Sequence, residues 1–296
     1  MDGILNLDKP AGLTSFQAIS KIRRMAGKVR VGHAGTLDPF ATGILPVLLG
    51  KATRVAEYFL DHAKTYRAQI TLGSETDTLD VTGNIVKTAD TDHITLESVQ
   101  SILPLFTGDI QQIPPAYSAI KQGGRRLYQM AREGLNPEPE SRLVTIHEIR
   151  IISFQPPMLV IDVTCGRGTY IRSLARDIGL ALNSRGHVSQ LERTRYGLLD
   201  ISDSLSLDEL ESLGTEDAVK NNLLPMSIAL THLPVIELTL DEVSAVVHGG
   251  SIYRQDTSPE SNTWRAYDKN GNLVALLVSD HNNKQYKPRK VFHIVS

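Results

Sequence analysis

Between Gly32 and Gly43 the chain reads Gly-His-Ala-Gly-Thr-Leu-Asp-Pro-Phe-Ala-Thr-Gly. Its glycines and small residues suit neither a helix interior nor a strand interior. One carboxylate, Asp38, stands in it, and Pro39 steers the Asp38 backbone away from the α region. A rigid loop presenting a single acid, with glycines that admit another chain closely, can supply a carboxylate nucleophile. The same residues also allow an Asp-Pro turn whose side chain caps a neighbouring N–H, and spacing alone leaves both readings open. Cys165, the single cysteine, has no histidine placed beside it and reads as a buried inert thiol. There is no Rossmann fingerprint, Walker loop or Cys/His metal cluster. Asp77 and Asp80 are close enough for a divalent-metal site, but no further ligands gather, so they read as a turn before a strand at 83–87.

The elements around this loop follow from periodicity. Residues 3–7 form a short apolar strand ending at Asp8-Lys9-Pro10-Ala11-Gly12. Thr14 or Ser15 caps a helix running to Met25, with Phe16, Ile19 and Ile22 as its apolar stripe. After the Asp38 loop come a buried segment at 44–49 and a helix at 52–60. Residues 64–72 alternate strictly, placing Tyr66, Ala68, Ile70 and Leu72 on one face. An aromatic there can floor a pocket or simply fill the core. A capped helix at 92–105 and an extended, proline-fixed stretch at 112–121 follow. Residues 122–142 are polar and carry Arg125, Arg126 and Arg132. Strands are expected at 143–153 and 158–164. Gly166-Arg167-Gly168 then breaks the chain, and Thr169 caps a helix with Ile171, Leu174, Ala175 and Ile178 at helical spacing. Arg172 falls in its first turn, where a helix N-terminus disfavours a cation. It calls for a specific acidic or phosphate partner; Asp38 is the candidate, and a surface pair with a neighbouring acid the alternative. A strand at 187–196, a short helix at 205–213 and a connector at 221–233 lead to a helix at 240–248 and small strands. Of these, 264–268 and 273–279 flank Lys269-Asn270-Gly271-Asn272, a hairpin signal.

The chain has 296 residues and a formal net charge of -2, long enough for a large core and a second domain. It holds no apolar run of membrane-spanning length, no signal-peptide start and no possibility of an internal disulfide, which fits a cytoplasmic protein. The net charge hides a segregated distribution. Lys9, Lys21, Arg23, Arg24, Lys28 and Arg30 lie between Asp8 and Asp38 without an intervening acid, and Arg167, Arg172, Arg176, Arg185, Arg193 and Arg195 form a second group. Local basic surface of this kind suits phosphate binding, although solvated helix faces would look the same. Lys9, Arg24, Arg30 and Arg193 are read as phosphate contacts.

The Asp38 loop, taken in order with Asn6-Leu7-Asp8-Lys9-Pro10-Ala11-Gly12, Lys64-Thr65-Tyr66-Arg67 and Gly168-Thr169-Tyr170-Ile171-Arg172, resembles the bacterial tRNA pseudouridine-55 synthase family, the TruB family. The resemblance covers roughly residues 3–195 and is looser beyond. It implies an α+β fold: a mixed, mainly antiparallel sheet with flanking helices (the pseudouridine synthase fold) over residues 1–230, with an RNA-clamping insertion at about 121–143. A small β-rich, PUA-like RNA-binding domain would occupy 231–296. It implies a tRNA-modifying isomerase acting on a flipped-out uridine of the T-loop, at position 55. Asp38 would be the nucleophile, at the ribose or at the ring. Tyr66 would stack on the uracil and Tyr170 would shape the pocket or move a proton. Arg172 would hold Asp38 ionised. The family pattern sets His33 against the rearranged loop and Leu191 at the pocket wall. The reaction has no redox step or group donor, so no cofactor and no metal are expected. The partner is the tRNA T-arm; no membrane and no obligate protein partner are expected, and the chain would act as a monomer. An RNA-guided, dyskerin-like enzyme and a non-catalytic RNA-binding or chaperone module are the alternatives.

Overall fold

The computed structural model describes every residue except 119, 136, 138, 215, 255–260, 281–283 and 293–296. The Lys121 and Arg132 side chains also lie outside the described residues. Those described form a mixed sheet of ten strands. Its main path runs Leu205–Ser206, Gly3–Lys9, Thr42–Leu49, Gly186–Tyr196, Lys64–Leu72, Met158–Cys165, Arg142–Gln155 and Gly108–Gln112. Val31–His33 pairs with Thr42–Leu49, and Leu199–Asp200 with Gly186–Tyr196. Neighbours are antiparallel except where Leu205–Ser206 meets Gly3–Lys9 and where Thr42–Leu49 meets Gly186–Tyr196. This is the α+β architecture expected from the sequence.

The Lys64–Leu72 strand lies inside the sheet, and its alternation decides its faces: Tyr66, Ala68, Ile70 and Leu72 are buried, while Arg67 is exposed. The Ser15–Met25 and Ile171–Ala181 helices close one core with it, contributing Ala18, Ile19 and Ile22, and Ile171, Leu174, Ala175 and Ile178. Thr14 starts the first helix as a capping box: its hydroxyl accepts from the Gln17 N–H, and the Gln17 side chain accepts from the Thr14 N–H. The second helix departs from expectation. Its N-cap is Tyr170, not Thr169, and no side chain caps it locally. Thr169 instead donates to the Gly166 carbonyl at 3.3 Å. The Gln112 amide clamps the Tyr170 backbone from another strand, accepting from its N–H at 2.8 Å and donating to its carbonyl at 3.1 Å. A cap delivered across the fold leaves no local signal.

A second sheet has the order Val235–Glu237, Thr263–Tyr267, Leu273–Asp280, Gln285–Val291, Ile252–Tyr253. The expected hairpin is present, its turn held by the Asp268 carboxylate accepting from the N–H groups of Asn270 and Asn272. This sheet is packed onto the first. Leu276 and Phe292 share a core with Ile4, Leu48, Tyr58, Phe59 and Tyr196, and Arg54 donates to the Val291 carbonyl at 2.6 Å.

Candidate active site

The Asp38 loop joins Val31–His33 to Thr42–Leu49, and two of its glycines are needed by what they touch. Gly43 has φ +95°, and a Cβ on it would lie 2.4 Å from the Arg193 carbonyl oxygen. Gly35 has φ +69°, and a Cβ there would lie 2.9 Å from the Tyr196 ring. Both conformation and space exclude a side chain, so the loop ends are pressed against the Gly186–Tyr196 strand. The N-terminal motif supports the loop from the other side. Ser15 Oγ donates to the Leu37 carbonyl at 3.1 Å and accepts from the Leu37 N–H at 2.9 Å. The Gly12 N–H donates to the Pro39 carbonyl at 2.8 Å. Lys9 Nζ donates to the carbonyls of Pro10, Leu13 and Pro39 at 2.7, 2.9 and 3.4 Å.

Held this way, the Asp38 carboxylate is not used as a turn cap. Among the described residues its partner is Arg172. Arg172 Nε lies 2.9 Å from Oδ2, and Nη2 donates to Oδ1 at 3.2 Å. Arg172 is itself locked: Nη1 donates to the Thr78 carbonyl at 3.0 Å and sits 3.3 Å from Asp80 Oδ2, and Nη2 donates to the Tyr117 carbonyl at 3.1 Å. Asp80 is fixed in turn, its Oδ1 accepting from the hydroxyl of Thr78 at 2.8 Å and the N–H of Thr82 at 2.9 Å. The Arg172 and Asp80 side chains are 5% and 6% exposed, whereas Asp38 keeps 36%, so the Asp38 carboxylate is the most accessible of the three groups.

That carboxylate lines two connected recesses. A narrow one of about 100 Å³ is lined by Asp38, Tyr66, Thr169, Tyr170, Arg172 and Leu191, among others. A broader one of about 610 Å³ shares Thr36, Asp38, Tyr170 and Arg172, and adds Tyr117, Ser118 and Tyr128. The second volume falls within the ~300–1,000 Å³ of ordinary ligand sites. Tyr66 and Leu191 come from adjacent strands, with Leu191 opposite Ala68 in the ladder. Burial is the largest influence on Asp38 and leaves its pKa above the ordinary 3.8; Arg172 opposes this, Asp80 adds to it, and Lys9 opposes it weakly. Burial also raises the Tyr66 phenol, with Arg193 opposing, so Tyr66 presents a neutral hydroxyl. Burial raises Tyr170 likewise.

The structure thus gathers Asp38, Tyr66, Tyr170, Arg172 and Leu191 around one recess. His33 is not among the lining residues. It is half-buried, its Nδ1 has no hydrogen-bond partner among the described residues, and burial lowers its pKa. Arg24 and Arg30 are exposed and available to an anion. Lys9 and Arg193 are not: both are 0% exposed. Lys9 is spent on three carbonyls beneath the loop, with its pKa lowered by burial to about 8. Arg193 is spent on the carbonyls of Ile44 and Gly35. The expectation that these two contact phosphate is therefore corrected. Asp80 is the site residue that sequence reasoning missed. Its turn was legible; the oxygen turned toward Arg172 was not.

A family model described as the TruB family pseudouridylate synthase N-terminal domain matches residues 23–171. A second, the tRNA pseudouridylate synthase B C-terminal domain, matches 172–231. The tRNA pseudouridine synthase B of Dehalococcoides mccartyi is 40% identical over 292 residues, covering 99% of this chain and 97% of that protein. The protein of the same name from Symbiobacterium thermophilum is 44% identical over 252 residues, covering 84% and 82%. Among solved structures, a Cbf5–Nop10–Gar1 complex contains a chain with TM-score 0.75 and 28% identity, over 98% of this chain and 85% of that one. An H/ACA RNP bound to a substrate RNA containing 2'-deoxyuridine gives TM-score 0.75 and 26% identity, over 99% and 85%.

Proposed function

The chain belongs to the TruB family of pseudouridine synthases and isomerises uridine to pseudouridine in tRNA, and from that premise we propose that its target is position 55 of the T-loop and that Asp38 is the nucleophile. The observation that carries this reading is the Asp38 carboxylate itself, open to a recess floored by Tyr66 and gripped from behind by Arg172. The isomerisation breaks the bond between the uracil nitrogen and the ribose carbon, turns the base, and forms a carbon–carbon bond, with a ring proton leaving that carbon and the released nitrogen taking one up. Reactant and product have the same composition and oxidation level, so the balance requires no electron carrier or group donor.

The target base has to leave its stack, at a cost of a few kcal/mol that is lower in a loop than in a duplex. Tyr66 offers a flat face, Leu191 an aliphatic wall, and Tyr170 and Thr169 the rim. Asp38 must be ionised to attack. Burial works against that, and the guanidinium of Arg172 both favours the anion and fixes its direction. Arg24 and Arg30 are assigned to T-arm phosphates.

Residues 1–230 are read as the catalytic unit and 231–296 as a PUA-like RNA-binding unit. The stretch at about 121–143, whose Tyr128 lines the broad recess, is read as a segment that closes on RNA. The chain is taken to act as a monomer without an obligate protein partner. The near full-length likeness to proteins named tRNA pseudouridine synthase B favours this stand-alone reading over a guided one. The test is an unmodified tRNA transcript with neither guide RNA nor added protein. Conversion confined to position 55, and abolished by cytidine there, is expected. Conversion elsewhere, or only after a guide is added, would overturn the assignment.

A further inference from the structure

Arg193 is an arginine whose burial the proposed mechanism leaves unexplained. It is fully buried, and among the described residues it forms no ion pair. An uncompensated buried charge is costly, so its position calls for a reason beyond filling space. Its guanidinium reaches three parts of the site at once. Nε donates to the Ile44 carbonyl at 2.7 Å, Nη2 to the Gly35 carbonyl at 2.8 Å in the Asp38 loop, and Nη1 to the Tyr66 hydroxyl at 3.4 Å. It is also the cross-strand partner of Tyr66 in the ladder. The Tyr196 ring lies 4.8 Å from it, which offsets part of the desolvation.

We propose that Arg193 is a positioning residue for the reaction: it fixes the Tyr66 hydroxyl and ties that ring to the loop bearing Asp38, so that the floor under the base and the nucleophile keep one separation. The inference rests on the reading of Tyr66 as the floor of the uracil pocket. A planar fork that stays charged when buried spreads its donors over three nitrogens and can bridge acceptors that lie apart; an ammonium in the same place has all its donors on one nitrogen and cannot span them. The long Nη1–hydroxyl contact suits a bond that tightens when substrate closes the recess.

The test is a double-mutant cycle on Arg193 and Tyr66, read as the single-turnover rate at saturating enzyme together with tRNA affinity. Arg193→Lys is expected to slow chemistry by roughly 10- to 100-fold, with affinity within about threefold. In the Tyr66→Phe background the same substitution should cost little, because the group it acts through is gone. A penalty undiminished in that background, or a loss of affinity with the saturated rate intact, overturns this inference and leaves the proposed function standing. A wild-type rate in Tyr66→Phe removes the Tyr66 hydroxyl from the mechanism, and this inference with it, while the ring keeps its place under the base and the proposed function stands. Should the lysine variant not fold, NMR of the otherwise unsubstituted protein decides. The Arg193 side-chain resonances are expected to shift in Tyr66→Phe, and no shift overturns the contact.

Discussion

Arg172 and Asp38 are 134 positions apart and meet at 2.9 Å. The arginine opens a helix at the end of one strand, where the helix N-terminus disfavours it, and the aspartate sits alone in a loop between two others. Each resolves the other's electrostatic problem, and Asp80 completes the arrangement by taking the far nitrogen of the same guanidinium at 3.3 Å. With two carboxylates about one cation, Asp38 is the more exposed of the two.

The pH dependence of chemistry reports this pair. A protonated carboxyl does not attack, so the rate falls as pH drops through the Asp38 pKa. That pKa is raised by burial above 3.8, so the acid limb lies above that value. Arg172 is the largest influence pulling it down. In Arg172→Met the limb therefore moves to higher pH and the plateau falls; Arg172→Lys restores part of the plateau, since a point charge cannot grip both oxygens. Single-turnover profiles of the three proteins measure this. An unmoved limb in the methionine variant would count against the pairing.

Asp80→Asn separates the two effects of the second carboxylate. Losing its charge lets the Asp38 pKa fall, because Asp80 repels the Asp38 anion. Losing its grip on Arg172 loosens the anchor of Asp38. The expected result is an acid limb moved to lower pH, with a plateau reduced roughly 10-fold or more and tRNA affinity within a few-fold. A plateau equal to wild type would reduce Asp80 to a turn residue.

Salt dependence of tRNA binding distinguishes buried from exposed cations. Arg24→Ala and Arg30→Ala are each expected to weaken binding and lower the salt slope by about 1. Lys9→Met is expected to leave the slope alone. It would instead lower unfolding stability by about 1–3 kcal/mol, because the carbonyls of Pro10, Leu13 and Pro39 lose their donor. A reduced slope in the Lys9 variant, with unchanged stability, would return that residue to the RNA surface.

Where periodicity or capping acts locally, the sequence was mostly a reliable guide, although Phe16, expected in the apolar stripe of the Ser15–Met25 helix, is exposed. The buried face of Lys64–Leu72, the Thr14 cap and the hairpin around Asp268 all follow from residues within a few positions of one another. What escaped was set by distant chain. Lys9 and Arg193 look like surface cations by residue type, and only the folded loops bring the carbonyls of Pro39 and Gly35 to them. The Tyr170 cap comes from Gln112, 58 positions earlier. Asp80 carries its local turn on one oxygen and Arg172 on the other. The pairing of Asp38 with Arg172 was accessible because a cation in the first turn of a helix is locally unfavourable, and a missing local partner is itself a signal.

The central claim is that Asp38 reacts with the substrate. Asp38→Asn keeps the size and much of the hydrogen bonding of the side chain while removing the nucleophilic anion. Pseudouridine formation is measured on a tRNA transcript under single-turnover conditions at saturating enzyme, with tRNA affinity measured in parallel. The account predicts no detectable product with affinity within a few-fold of wild type. Product at a near wild-type rate would contradict it.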